Sequence, residues 1–147
     1  MDFTTHKADK RHLSAINRLI VETRIGDPMD KLHGTFWFAR VNGEIVGCAG
    51  VELIGNNAAV INYVAVRAGF RKKGIGMTLL GKVMGFARQQ GVNLIGLVTM
   101  YYLFNRFKKR GFRTCPRKEL PKALMDHWMF TAQRYMKCAA MFRRYGK

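Results

Sequence analysis

The sequence predicts a mixed α+β (α/β) domain, an antiparallel meander running into a strand–helix–strand unit. Three observations carry this. Two runs rich in β-branched and aromatic residues flank Asn42-Gly43, the dipeptide that favours a two-residue hairpin. Ala58–Val66 is nearly all apolar, as in a central strand covered on both faces. Stretches with apolar residues at three- and four-residue spacing read as amphipathic helices on either side of these strands.

In chain order, residues 1–7 fit a short first strand. Residues 9–24 fit a helix, with Leu13, Ile16 and Ile20 on one face and Asp9 as N-cap. A loop with Gly26, Pro28 and Gly34 leads to strands Thr35–Val41 and Glu44–Ile54. Gly55-Asn56-Asn57 turns the chain into Ala58–Val66. A glycine-bearing loop, 68–76, precedes a helix over Met77–Gln90, which Gly91 ends as a C′ residue. Asn93–Thr99 reads as a buried strand, Tyr101–Arg110 as a helix stopped by Gly111, and Phe112–Cys115 as the start of a last strand. From Pro121 to about Tyr145, the spacing of Leu124, Trp128, Ala132, Tyr135, Ala139 and Phe142 predicts one long tail helix. A single domain, 1–147, with residues 120–147 as a C-terminal helical tail, is the expectation.

The 147 residues leave little room for a second domain. Hydrophobic residues make up 48%, and ten Phe, five Tyr and two Trp can be buried, which argues against disorder. No apolar run approaches about 18 residues, so no membrane span is expected. The N-terminal residues lack the apolar stretch of a signal peptide. Three cysteines without CxxC spacing suggest neither a disulfide framework nor a metal site. A cytoplasmic location is expected. The charge is unbalanced: 26 Lys+Arg face 9 Asp+Glu, a net of +17. Residues 1–53 are neutral overall, so the whole excess lies after them. Such a surface attracts a polyanion: nucleic acid, an acidic membrane or a polyphosphate.

The most informative stretch runs from Val64 to Met77. A buried strand delivers a basic loop with Arg71, Lys72, Lys73, Gly74 and Gly76 into the start of a helix. Helix N-termini carry unpaired N–H groups and a partial positive charge, and so receive phosphates. The glycines let the backbone approach an anion closely. The spacing fits neither a P-loop nor a Rossmann fingerprint.

Arg71-x-x-Gly74-x-Gly76 resembles the Arg/Gln-x-x-Gly-x-Gly/Ala pyrophosphate loop of the GNAT family of N-acetyltransferases. Phe107-Lys108-Lys109-Arg110-Gly111-Phe112, downstream, resembles the family's Tyr/Phe-x-x-x-Gly-Phe helix end. The resemblance spans residues 9–122. It implies a GNAT-like fold with a central, mostly antiparallel mixed sheet flanked by helices, binding of acetyl-CoA, and acetyl transfer to an amine without a metal. It also implies cofactor-binding roles for Val64, Ala65, Val66, Arg71, Lys72, Lys73, Gly74, Ile75, Gly76 and Met77. The amides of residues 72–77 would hold the pyrophosphate. The backbone of Val64–Val66 would pair with the pantetheine arm, and the strands bearing Val66 and Thr99 would splay to admit it. Lys108 would lie near the 3′-phosphate.

Gly43–Gly50, Phe107 and Glu119-Leu120-Pro121 resemble segments of the acetyltransferase domain of bacterial N-acetylglutamate synthases, and the tail resembles their C-terminal helix. Those synthases usually carry an Arg in the loop after the first helix to hold the acceptor's carboxylate. Here Lys31 is the nearest cation, with Arg24 upstream, so these two are the acceptor-binding candidates. Direct transfer needs a base, a donor to the thioester carbonyl and an acid for the thiolate. Glu52 and His127 are candidate bases. Phe107 stands at the family's Tyr position and cannot donate a proton, so Tyr101 or Tyr102 is the candidate acid. Cys48 sits in an apolar strand with no activating neighbour in sequence, and is not expected to act as a nucleophile.

The partners expected are a small-molecule amine, with an amino acid such as glutamate one option, and weak polyanion or nucleic-acid binding through the basic C-terminal part. A homodimer is left open. Two other readings stay open beside the small-molecule enzyme. One is a nucleic-acid- or ribosome-associated protein on the same scaffold, since Arg106–Arg113 and Arg117-Lys118 interleave cations with aromatics. The other is a protein N-acetyltransferase.

Overall fold

A computed structural model describes residues 2–99 and 103–146. Hydrogen-bonded neighbours among the described strands follow the order β1 (Thr4–Lys7), β2 (Thr35–Val41), β3 (Glu44–Ile54), β4 (Ala58–Val66), β5 (Leu94–Thr99), β7 (Ala139–Arg144) and β6 (Arg113–Thr114), a mixed sheet. The strands before residue 100 form where the sequence pattern asks for them. β2 (Thr35–Val41) and β3 (Glu44–Ile54) pair antiparallel, with Thr35 opposite Val51 and Val41 opposite Glu44. Asn42 and Gly43 both take positive φ, 48° and 81°, the geometry of a two-residue turn that matches strand twist. The register slips by one residue between Ala39 and Arg40. β1 (Thr4–Lys7) adds antiparallel to β2.

The described residues divide into two compact units. The first comprises residues 1–52 and 63–87. Asp9 opens its first helical segment with a capping box. Its side chain accepts from the Arg11 N–H at 2.9 Å, and the Asp9 N–H donates to His12 Nδ1 at 3.0 Å. A 3-10 turn (Lys10–His12) leads into α1 (Leu13–Glu22), which buries Ile16, Leu19 and Ile20. The helix ends with Arg24 left-handed at φ 61°, its N–H bonded to the Val21 carbonyl and the Ile25 N–H to the Ile20 carbonyl. α2 (Ile75–Gln89) buries Ile75, Leu79, Leu80, Val83, Met84 and Ala87. It packs on β3 at Gly47. A Cβ there would lie 3.0 Å from Ile75 Cγ2 and 3.2 Å from Leu79 Cδ1, so the missing side chain sets how close α2 can come.

The second unit comprises residues 53–62 and 88–147. The start of β4 (Ala58–Val66) runs parallel to β5 (Leu94–Thr99), with Ala58, Ala59 and Val60 opposite Leu94, Ile95 and Gly96. The helix expected over Tyr101–Arg110 is α3 (Phe104–Lys109) within the described residues, and Gly111 follows it at φ 88°. β6 is only Arg113–Thr114.

The long tail helix is not there. Pro121 precedes a single turn, α4 (Lys122–Met125), and His127 caps another, α5 (Trp128–Thr131). A 3-10 turn (Gln133–Tyr135) follows, and the chain closes as a strand, β7 (Ala139–Arg144). β7 inserts between β5 and β6, antiparallel to both, from Thr99 opposite Ala139 to Leu94 opposite Arg144. The physical reason is the unbroken apolar run Ala139–Phe142, buried at all four positions, which pairs better as an inner strand than as a one-sided helix. The earlier apolar residues face β5 from short turns. The Cβ position of Gly96 lies 2.7 Å from Leu124 Cδ1 and 3.0 Å from Phe130 Cζ. Arg117 holds these turns together, donating to the carbonyls of Phe130 (3.1 Å), Cys138 (3.0 Å) and Tyr135. The resemblance of the tail to a C-terminal helix is corrected by the same observation.

Candidate functional site

The basic loop closes on itself by short backbone links. The Arg67 N–H donates to the Val46 carbonyl at 2.8 Å, which holds the end of β4 to β3. The Phe70 N–H donates to the Arg67 carbonyl, with Gly69 at φ 93° between them. Arg71 folds back so that its Nε donates to the Val66 carbonyl at 2.8 Å. Its first job is therefore to fasten the loop to the strand. Arg67 is fixed by carboxylates on two other elements, Glu22 at 2.8 Å and Glu44 at 3.3 Å.

Lys72 and Gly74 both have positive φ, 64° and 86°. The first bond of α2 is from the Thr78 N–H to the Gly74 carbonyl at 3.0 Å. The amides of Ile75, Gly76 and Met77 thus belong to the first turn and have no acceptor within the helix. Nothing lies within 4 Å of a Cβ built on Gly74. A Cβ on Gly76 would make ordinary contact with Val66 Cγ2 at 3.5 Å. Arg71, Lys72, Lys73 and Gly74 are exposed, Ile75 is buried, and Gly76 and Met77 are half-buried. First-turn amides without helical acceptors, a helix dipole, open space beside a glycine and three cations suit a diphosphate group.

Immediately before this loop lies a feature that the residue types did not announce. Tyr63, 7% exposed and inside β4, has φ 51°. A bulky residue left-handed within a strand is strained and re-aims the backbone after it. Its carbonyl accepts from Cys48 Sγ at 3.2 Å. Burial pushes the Cys48 thiol up to about 12, which fits the expectation that it is no nucleophile. Val64 and Val66 are half-buried and Ala65 is buried.

Glu52 lies in the same unit, half-buried in β3, where the chain passes close by at Gly34. A Cβ on Gly34 would fall 3.0 Å from the Glu52 Cα. The loop over residues 25–34 is clamped by Asn17. Its Nδ2 donates to the Met29 carbonyl and its Oδ1 accepts from the Met29 N–H, both at 2.8 Å. The two acceptor candidates, Arg24 and Lys31, are exposed on either side of that clamp. The His33 ring stands 6.3 Å from that of Tyr63. His33 Nε2 is 3.5 Å from Asp30 Oδ1, and this interaction lowers the Asp30 carboxyl below its usual range. Neither Asn17 nor His33 stood out in the sequence, since both act on residues distant along the chain.

Among the other candidates, Lys108 is exposed on α3, its Nζ 5.2 Å from the Phe104 ring, and belongs to the second unit. Tyr101 and Tyr102 lie outside the described residues. His127 caps α5, its Nδ1 accepting from the Met129 N–H at 3.2 Å. Phe107 and Phe112 are buried and meet edge to face at 5.9 Å, so these aromatics belong to the core rather than to a nucleic-acid platform. No group of three or more His, Cys, Asp or Glu among the described residues is arranged to hold a metal. No helix among them is long and apolar enough to cross a membrane.

The chain is 29% identical over 89 residues to an uncharacterized N-acetyltransferase of Chlorobaculum tepidum, covering 60% of this chain and 56% of that one. It is 28% identical over 105 residues to a "Probable N-acetyltransferase camello" of Xenopus tropicalis, covering 68% and 48%. The chain therefore spans about half the length of the curated relatives it matches. In fold it is similar to N-acetylglutamate synthase from Neisseria gonorrhoeae, solved with coenzyme A and N-acetyl-glutamate. The TM-score is 0.76 at 20% identity, covering 100% of this chain and 36% of that one. The sequence model described as "Acetyltransferase (GNAT) family" matches residues 7–112, and the chain belongs to that family.

Proposed function

We propose that the chain transfers an acetyl group from acetyl-CoA to the primary amine of a small molecule, directly and without a covalent enzyme intermediate. The observation that carries this is the first turn of α2. Three amides without helical acceptors lie behind a left-handed Gly74, next to Arg71, Lys72 and Lys73. The amides of residues 72–77 would take the diphosphate. The backbone of Val64–Val66 would take the extended pantetheine arm as an added strand, and the re-aimed chain after Tyr63 supports this. Lys108 is the candidate for the 3′-phosphate.

Bound acetyl-CoA supplies an activated thioester carbonyl. In this reading Glu52 accepts the amine's proton, directly or through water. An α-amino group with a pKa near 8 needs only a weak base. A backbone N–H near Val66 donates to the carbonyl oxygen. Tyr101 or Tyr102 returns a proton to the departing thiolate. Arg24 and Lys31 would hold a carboxylate if the acceptor is an amino acid such as glutamate. The buried Cys48 stays out of the chemistry.

The test is release of CoA thiol from acetyl-CoA across a panel of glutamate, arginine, polyamines and peptides. Turnover on at least one amine is expected, together with a rise in melting temperature on adding acetyl-CoA. No turnover on any amine and no acetyl-CoA-dependent shift would refute the proposal. A glutamate-type acceptor further predicts that R24Q/K31Q raises KM for carboxylate-bearing amines but not for simple diamines.

A further inference from the structure

Acetyl-CoA would offset only a small part of the net charge of +17. Residues 53–62 and 88–147 hold fourteen Lys+Arg but only two acids, Glu119 and Asp126. Most of these cations therefore have no carboxylate within their own unit to meet. Arg117 is already engaged with carbonyl groups. Four other arginines converge at the end of β7. The guanidinium carbons of Arg113 and Arg144 stand 4.9 and 5.9 Å from the Phe142 ring centroid. Those of Arg88 and Arg143 stand 4.1 and 4.2 Å from the Tyr145 ring. Each ring thus gathers two like charges.

An aromatic face orients a guanidinium without neutralising it, so its donor fork stays available for a phosphate. Arg88, Arg113 and Arg144 are exposed; one arm of the Arg88 fork donates to the Val92 carbonyl at 2.7 Å, which fixes the guanidinium and leaves its other nitrogens for a phosphate. Arg113 is held opposite Phe142 by the β6–β7 register. Arg143 is anchored by donation to the Arg110 carbonyl, and Gly111 leaves room for it. Phe142 and Tyr145 are three residues apart, about 10 Å of extended chain, and an odd spacing turns successive side chains to opposite sides.

We propose that this end of β7 binds the phosphates of a single-stranded nucleic acid, with a pair of arginines at each ring. A flexible strand can pass from one side of β7 to the other, whereas a stiff duplex cannot bend that sharply. A membrane is the poorer fit, because a lipid-binding face sets exposed apolar residues beside its cations. Here Phe142 is 7% exposed. The proposal does not depend on acetyl transfer.

The test is fluorescence anisotropy of labelled oligo-dT and oligo-U of about 20 nucleotides with the full chain, over about 50–300 mM salt. Kd is expected to weaken linearly with salt on a log–log scale. R88Q/R113Q/R144Q should raise Kd at least tenfold and lower the salt slope by about 2. K118Q/K122Q/K137Q removes as much charge elsewhere in the unit and should stay within about twofold of wild type. Circular dichroism melts check folding. If the triple arginine variant melts early, the single variants R113Q and R144Q carry the test, each raising Kd severalfold. Three results would each overturn the proposal: equal losses in the arginine and lysine variants, no oligonucleotide binding at about 50 mM salt, or tighter binding of anionic vesicles or poly-glutamate through the same arginines.

Discussion

Gly74, Arg24, Cys48 and Glu52 show how single residues divide between holding the fold and doing the chemistry. Arg24 occupies the left-handed position after α1 that glycine fills at least cost. Arg24→Gly should therefore raise stability, by up to about 1 kcal/mol, in urea unfolding, even if it weakens acceptor binding. Cys48 donates to the Tyr63 carbonyl, and its thiol is raised from 9.0 to about 12. Between those values the folded chain keeps a proton that the unfolded chain has lost. Its stability contribution is thus full below about pH 9 and falls as pH rises toward 12. Urea midpoints at pH 8 and pH 10 should differ in that direction, and Cys48→Ala should remove that part of the difference while leaving turnover within a few-fold. If Glu52 is the base, Glu52→Gln should cut kcat about a hundredfold with little change in melting temperature. An unchanged kcat would remove it from the mechanism.

At the scale of elements, the caps and the tail make the clearest predictions. The hydrogen bonds and charge of Arg11 lower the Asp9 carboxyl from 3.8 to about 2. Capping by Asp9 is present above the ordinary carboxylate value and is lost as pH falls through about 2, so Asp9→Ala should shrink the loss of melting temperature over that acid window. Gly96 of β5 lies under Leu124 and Phe130. Gly96→Val should cost about 1–3 kcal/mol through overpacking, a loss that a tail detached from β5 would not produce.

Legibility in the sequence follows the same line between local and distant causes. The β2–β3 hairpin was readable because Asn42-Gly43 suits two positive φ angles. The strand–loop–helix step between β4 and α2 was readable because Gly74 and Gly76 stand between an apolar run and a helical period. The tail was not. Leu124, Trp128 and Ala132 keep a helical period whether they line one helix or several turns, and Ala139–Phe142 is an apolar run that period alone cannot assign. The backbone at Tyr63 was hidden too, since nothing in Asn62-Tyr63 asks for a left-handed residue. Likewise, the Asn17–Met29 clamp joins residues twelve apart across a loop.

Over the whole molecule the dominant property is the net charge of +17. Like charges at that density repel one another and weaken the compact state at low ionic strength. Raising salt from about 20 to 200 mM should therefore raise the melting temperature, and a fall would mean that attractive pairs outweigh the excess. Part of the charge, Arg71 to Lys73, lies just before the start of α2, in the loop proposed to receive acetyl-CoA. Calorimetric titration of acetyl-CoA into the wild-type chain and into Gly74→Val tests this most directly, because a Cβ there enters open space at a left-handed backbone position. One-to-one binding to wild type and at least tenfold weaker binding to the folded variant are expected. Equal affinity in both, or no binding to wild type, would contradict acetyl-CoA binding at this loop.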